Sequence, residues 1–148
     1  MDRRQQVSDL TRTFIEAMNL SLTATVTEGD DHVQINLSGP DSYLLLERRG
    51  SVMEALQLLI GKVAEVRLGL DKRLVLDCEG YRRDREEELA RMALGVAEKV
   101  RESGQPIELD PLNPYERRIV HLAVASEPGV SSHSEGDGFL KRILISPA

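Results

Sequence analysis

The spacing of apolar residues in the first half of the chain predicts helices and strands in a definite order. "VSDLTRTFIEAMNL" has Leu10 and Phe14 on one helical face, with Ser8 as a candidate N-cap. "SLTATVTEGDDHVQINLSGPD" alternates apolar and polar residues on both sides of a Gly-Asp-Asp turn, which predicts a β-hairpin. A short apolar helix, a charged break and a longer helix with Ser51 and Glu54 at capping-box spacing follow, and "RLVLDCEG" predicts a strand. The predicted order is therefore helix-strand-strand-helix-helix-strand.

The second half has its own pattern and begins at Gly80 or Tyr81 with almost no linker. "RRDREEELARMALGVAEKVRESG" predicts a long amphipathic helix that ends at Gly104. "QPIELDPL" predicts a short strand, "NPYERRIVHLAVAS" a second helix, and "VSSHSEGDGFLKRILIS" a hairpin around Gly-Asp-Gly. We therefore predict an α+β chain of two compact modules, residues 1–79 and 80–148.

The helix in "NPYERRIVH" carries its own start signals and a group of basic residues. Asn113 is a candidate N-cap, Pro114 suits the first helical position, and Glu116 can complete a capping box. A helical wheel predicts an apolar arc that packs on the protein and a narrow basic stripe that stays exposed. The arc comprises Tyr115, Ile119, Leu122 and Ala123, extended by Val120 and Val124, and the stripe comprises Arg117, Arg118 and His121.

The four-residue spacing of Arg117 and His121 admits two interpretations. The arginine fork suits phosphate or carboxylate, and a histidine one turn later can donate a hydrogen bond or stack. In the alternative, Arg117 pairs with an acidic side chain and His121 hydrogen-bonds locally. Spacing alone does not decide between them.

A second candidate anion site is the charged break "ERRGS". Arg48 and Arg49 precede Gly50 and Ser51, where a capped helix begins, so backbone N–H groups and the helix dipole attract anions there. The alternative is a solvated turn between two helices.

Composition restricts the classes of function. The 148-residue chain is 41% apolar, enough for a core, and its formal net charge of −6 means that nucleic-acid binding would depend on a local group of cations. Three histidines without zinc-site spacing, one cysteine and no catalytic constellation predict a protein without enzymatic activity, metal or cofactor. No apolar run has the length of a transmembrane helix or the form of a signal peptide, which predicts a cytoplasmic protein.

Four segments together resemble the bacterial Jag family, whose members are also called SpoIIIJ-associated or KhpB proteins. They are "ERRGSVMEALQLL", "LVLDCEGYRRDREEEL", "NPYERRIVH" and "VSSHSEGDGFLKRILIS", and the similarity covers nearly the whole chain. The resemblance implies a KH-like domain of type II order at residues 1–79 and an R3H domain at residues 80–148, without the family's separate N-terminal Jag domain. The Arg-x-x-x-His pair that gives the R3H domain its name falls on Arg117 and His121.

What the resemblance implies is binding of single-stranded RNA, or of single-stranded DNA. The G-x-x-G loop of KH domains falls on residues 47–50, where Glu47 stands in place of the first glycine. Because a carboxylate repels phosphate, the KH-like contact is expected to be weakened and the R3H half to carry more of the affinity. The implied nucleic-acid-binding residues are Arg48, Arg49, Gly50, Ser51, Arg117, Arg118, His121, His133, Lys141 and Arg142.

Two functions from different classes follow. The first is a post-transcriptional regulator or RNA chaperone in the bacterial cytoplasm. The second is a protein-interaction adaptor whose KH loop has lost RNA binding, which Glu47 and the acidic average charge favour. For the second function, the resemblance implies a small KH-domain protein as partner.

Overall fold

The computed structural model describes residues 1–148, and the chain divides into two compact units, residues 1–82 and 83–148. The first unit contains α1 (Arg3–Ala17), β1 (Thr23–Glu28), β2 (His32–Ser38), α2 (Ser42–Leu68) and β3 (Arg73–Cys78). The helix α3 (Tyr81–Ser103) begins at the end of the first unit and continues in the second. The second unit continues with β4 (Ile107–Glu108), α4 (Pro114–Ala125), β5 (Val130–Glu135) and β6 (Arg142–Pro147). The predicted α+β class is confirmed.

The first unit is a three-stranded sheet covered by helices. Its strands lie in the order β1-β2-β3, with β1 antiparallel and β3 parallel to β2. Alternate residues of β2, Val33 and Ile35 among them, face a core that Met53 and Ile60 of α2 fill from the helical side. Aliphatic burial of this kind is the main stabilising contribution in a chain with few aromatic residues.

Two predicted helix caps in the first unit are wrong. The N-cap of α1 is Asp2, whose Oδ1 accepts a hydrogen bond from the Gln5 backbone at 2.8 Å, and Ser8 lies inside the helix. The polar residues before Val7 hide this earlier start from the apolar pattern. Likewise, Glu54 does not complete a capping box with Ser51, and its Oε1 instead receives Arg82 Nη1 at 2.8 Å.

The second unit packs α3 and α4 against a sheet of strand order β4-β6-β5, in which both pairs are antiparallel. The core consists of Leu89, Ala93, Ala97, Val100, Leu112, Val120, Val124, Val130, Ile143 and Ile145. Gly104 ends α3 with a φ of 70°, a left-handed conformation that favours glycine. None of the helices in the structure combines the length and the apolar character that crossing a membrane requires.

Candidate nucleic-acid interface

The first turn of α4 is fixed by a reciprocal cap and a partly buried ion pair. Asn113 Oδ1 accepts from the Glu116 backbone at 2.8 Å, and Glu116 Oε1 accepts from the Asn113 backbone at 3.3 Å, so the predicted capping box is present. The same Glu116 is only 5% exposed, and its Oε2 receives Arg85 Nε of α3 at 3.0 Å. The helix that carries the candidate site is therefore held in a fixed rotation against α3.

This rotation differs from the one that the helical wheel predicts. The buried row of α4 is Glu116, Val120 and Val124, whereas Tyr115 and Leu122 are 47% and 63% exposed. The predicted apolar arc does not include Glu116, which the ion pair with Arg85 of α3 places inside. Of the basic stripe that was predicted to be exposed, Arg118 is exposed, but Arg117 and His121 lie half-buried beside the core row.

Arg117 is oriented by backbone carbonyl groups. Its Nη1 donates to the Leu112 carbonyl at 2.5 Å and to the Phe139 carbonyl at 2.8 Å. No carboxylate pairs with Arg117, so the alternative of an acidic partner is wrong, and its Nε and Nη2 make no hydrogen bond within the protein. Because a carbonyl carries no net charge, the guanidinium is positioned while its full positive charge remains available to an anion.

His121 forms hydrogen bonds through both ring nitrogens. Its Nδ1 lies 2.7 Å from Ser132 Oγ, and its Nε2 lies 2.8 Å from Ser134 Oγ. Burial lowers the pKa of His121, and the nearby charges of Arg117 and His133 lower that pKa further, so the ring is neutral at pH 7.

A neutral imidazole has one donor and one acceptor nitrogen. One of the two serine hydroxyl groups therefore donates to the ring, and the other accepts the ring proton. The serine that accepts keeps its own O–H, which can donate to a group outside the protein. This arrangement matches the local hydrogen bonding that was one of the two interpretations of His121.

His133 lies on the opposite face of the sheet from His121. Side chains alternate between the faces of a strand, and Ser132 and Ser134 point towards α4. His133 is therefore directed away from α4, where its Nε2 lies 3.0 Å from Glu135 Oε1. The structure does not bring His133 together with Arg117.

The two basic residues at the start of β6 separate in the same way. Arg142 is paired with Glu135 in register and shares that outer face, where its Nη1 binds Glu108 Oε1 at 2.8 Å. Lys141 precedes it, so the alternation along the strand directs Lys141 towards the side of α4. The expected extension of the basic face therefore applies to Lys141, and not to Arg142.

In the first unit, the candidate loop interrupts α2. Arg48, Arg49 and Gly50 have φ values of 51°, 58° and 75°, three successive left-handed residues of which two are arginines. Each arginine in this conformation costs about 1–2 kcal/mol relative to ordinary helix geometry. Gly50 is buried, and a Cβ atom there would lie 2.8 Å from Tyr81 Cε1.

Glu47 itself adopts an ordinary extended conformation, with φ −59° and ψ 153°. Its backbone does not need glycine, so the difference from the G-x-x-G pattern at this position is one of charge. Glu47, Arg48, Arg49 and Ser51 are all exposed around the turn.

A groove of about 460 Å³ lies between α2 and the start of β3, and none of residues 47–51 lines it. Leu58 and Leu74 supply apolar surface, and the cations that line the groove are Lys62, Lys72 and Arg73. Carboxylates also lie in or beside it: Lys62 pairs with Glu65 at 3.7 Å, and Lys72 pairs with Glu28 at 3.0 Å. Much of the positive charge of this groove is therefore neutralised within the protein.

The sequence did not indicate Ser132, Ser134 or Phe139 as parts of the site. The serines at alternate positions of a strand were the available signal, but only the packing of α4 shows which face they occupy. The structure has no group of three or more His, Cys, Asp or Glu side chains that could hold a metal ion.

Comparisons with known proteins place the chain in a family. The R3H domain family matches residues 87–147, which include α4 and the β5–β6 hairpin. The RNA-binding protein KhpB of Clostridium symbiosum is 33% identical over 150 residues, which cover 97% of this chain and 68% of that protein. The RNA-binding protein KhpB of Bacillus subtilis (strain 168) is 29% identical over 148 residues, which cover 99% of this chain and 71% of that protein. The chain belongs to the KhpB family of R3H-domain proteins.

Proposed function

We propose that this chain is a non-catalytic protein that binds single-stranded RNA chiefly through the α4 side of its second unit. The observation that carries the proposal is Arg117, a half-buried guanidinium that two carbonyl groups orient and no carboxylate neutralises. The chain has 25 acidic and 19 basic residues, so a basic group without an acidic partner is a specific local feature. The relatives, which are named as RNA-binding proteins, support the same function.

At this site, the unoccupied Nε and Nη2 of Arg117 suit two oxygens of one phosphate. Arg118 and Lys141, neither of which forms an ion pair, add positive charge on the same side. His121 holds the serine hydroxyl groups of β5 in place, and the one that does not donate to the ring is available to a phosphate oxygen. With so few phosphate contacts, we expect modest, salt-sensitive affinity with low sequence specificity, and single-stranded DNA should bind by the same contacts.

The first unit is proposed to be a KH-like domain that adds a second, weaker contact. Its element order, the parallel pairing of β2 with β3 and the turn at residues 47–50 support this. Arg48, Arg49 and Ser51 would approach the RNA backbone around Gly50. The negative charge of Glu47 would keep the contact weak. A cytoplasmic role in post-transcriptional regulation or as an RNA chaperone fits such broad, low-specificity binding.

The experiment is a titration of a labelled single-stranded oligoribonucleotide at low and at moderate salt. Arg117→Ala should lower the affinity at least tenfold and reduce the steepness of the salt dependence, because a phosphate contact is lost. Arg142→Ala is the matched control, since Arg142 lies on the opposite face of the sheet and is bound to Glu108. Equal affinities of the folded Arg117→Ala variant and the wild type would contradict the proposal.

A protein-interaction adaptor remains the second candidate, and the exposed apolar side chains of α2 favour it. Leu58, Leu59 and Val66 are 65%, 55% and 81% exposed on this helix. A partner of the kind implied for the family, a small KH-domain protein, could cover them. Leu59→Lys should abolish co-purification of such a partner and leave RNA affinity unchanged. A purified wild-type protein that retains a partner and binds no RNA would favour the adaptor over the RNA-binding function.

A further inference from the structure

The connection between β5 and β6 presents two apolar side chains to solvent. Phe139 is 69% exposed and Leu140 is 58% exposed. The chain has only two phenylalanines, and the other one, Phe14, packs against the core of the first unit. Phe139 is therefore exposed without a core contact that accounts for it.

Hydrogen bonds on both sides hold this part of the connection in place. The backbone of Lys141 exchanges two hydrogen bonds with Leu112, at 2.8 and 3.0 Å. The carbonyl of Phe139 accepts from Arg117 Nη1 at 2.8 Å. Phe139 is therefore joined directly to the guanidinium that we assign to phosphate, and it is presented by a tethered backbone.

In a nucleotide, the base is attached to its phosphate through a single sugar. A protein group that binds the phosphate therefore brings the base close to the residues next to that group. Proteins that bind single-stranded nucleic acids commonly place an aromatic ring there, because every base has a face on which a ring can stack. A tethered aromatic side chain loses little conformational freedom when it makes such a contact.

We propose that Phe139 is a base-stacking residue, which packs against a nucleobase adjacent to the phosphate bound by Arg117. This inference rests on the proposed function of the α4 site and adds a contact to the base. Because stacking on a phenyl ring does not identify the base through hydrogen bonds, it contributes affinity without strong sequence preference.

The test compares two oligonucleotides of equal length and charge, one with all its bases and one with abasic sites throughout. Phe139→Ala should lower the affinity for the complete oligoribonucleotide about tenfold, within the range known for loss of one stacking contact, and leave the affinity for the abasic one unchanged. Phe139→Leu should behave like Phe139→Ala, since it keeps an apolar side chain but has no ring, and Phe139→Trp should retain the affinity. Leu140→Ala is the matched control and should change neither affinity.

The two proposals fail in different ways. Arg117→Ala should weaken the binding of both oligonucleotides, and the absence of any such effect would contradict the proposed function. If Arg117→Ala weakens the binding of both oligonucleotides but Phe139→Ala does not change the affinity for the complete one, the stacking inference alone is wrong. This is the result expected if Phe139 contacts a protein and not a base. An equal loss for both oligonucleotides would also overturn it, because the side chain would then act on the backbone contact.

Discussion

Two regions of this chain present arginines, and they differ in what supports the positive charge. The turn at residues 47–50 holds Arg48 and Arg49 on a strained, exposed backbone with Glu47 beside them. In the α4 site, Arg117 is half-buried and donates hydrogen bonds to two backbone carbonyl groups. Both segments have cations in sequence, and in the second two carbonyl groups orient Arg117 without neutralising its charge.

The difference shows why the number of basic residues is a poor guide to anion binding in an acidic protein. A carboxylate partner positions an arginine and also cancels its charge, as Glu108 does for Arg142. A carbonyl partner positions the arginine and leaves the charge in place. The useful question at each arginine is therefore which kind of acceptor holds it.

The largest expected effect concerns the frame of the α4 site. Glu116→Ala removes one half of the capping box and leaves Arg85, whose side chain is only 16% exposed, with Glu88 as its remaining partner at 3.3 Å. We expect the free energy of unfolding to fall by about 2–3 kcal/mol, a little less than for a fully buried pair broken on one side. Urea denaturation followed by circular dichroism measures this, with the exposed Glu87→Ala as control. A loss below 1 kcal/mol would mean that α4 is not held by this pair.

A pair of glycine substitutions in α2 tests the strained turn of the first unit. Gly50→Ala places a Cβ atom 2.8 Å from Tyr81 Cε1 on a backbone with φ 75°, and we expect it to destabilise the protein by about 2 kcal/mol. Gly61→Ala lies in the same helix with nothing within 4 Å, and should stabilise it by about 0.5–1 kcal/mol. Thermal unfolding of both variants checks the contrast. Similar shifts in both would contradict the conformation described for residues 48–50.

Replacement of Glu47 should reduce the difference in RNA affinity between the turn in α2 and the α4 site. The extended backbone at Glu47 does not require glycine, so Glu47→Gly and Glu47→Gln should act alike, through loss of the negative charge. Both should raise RNA affinity about threefold at low salt. The gain should disappear at high salt, where exposed charges are screened. Unchanged affinity in both variants at low salt would indicate that this turn does not contact RNA, as the adaptor function requires.

The smallest expected effect is the pH dependence that His121 contributes to stability. Its pKa is lowered from 6.5 in the folded protein, chiefly by burial, so below pH 6.5 the unfolded chain takes up a proton more readily than the folded one. Stability from this group is therefore complete above pH 6.5 and declines as the pH falls below it. The decrease in melting temperature from pH 7.5 to pH 5.5 should be smaller in His121→Gln than in the wild type. An identical decrease in both proteins would contradict the lowered pKa.

Local signals in the sequence account for the parts of the site that were predicted correctly. Asn113, Pro114 and Glu116 determine the start of α4 within four residues, and the capping box forms as predicted. The rotation of α4 depends on Arg85, which lies 31 residues away from Glu116, and no helical wheel contains that information. The alternation along β6 separates Lys141 from Arg142, but the sequence does not reveal which face α4 covers.

The central claim is that the α4 site carries more of the RNA affinity than the turn in α2. The most direct measurement compares Arg117→Ala with Arg48→Ala in one titration of the same single-stranded oligoribonucleotide at the same salt concentration. Arg48 is exposed on the turn and forms no ion pair, so its removal should leave folding intact. We predict a loss of at least tenfold for Arg117→Ala and of less than about threefold for Arg48→Ala. A larger loss for Arg48→Ala than for Arg117→Ala would contradict this claim.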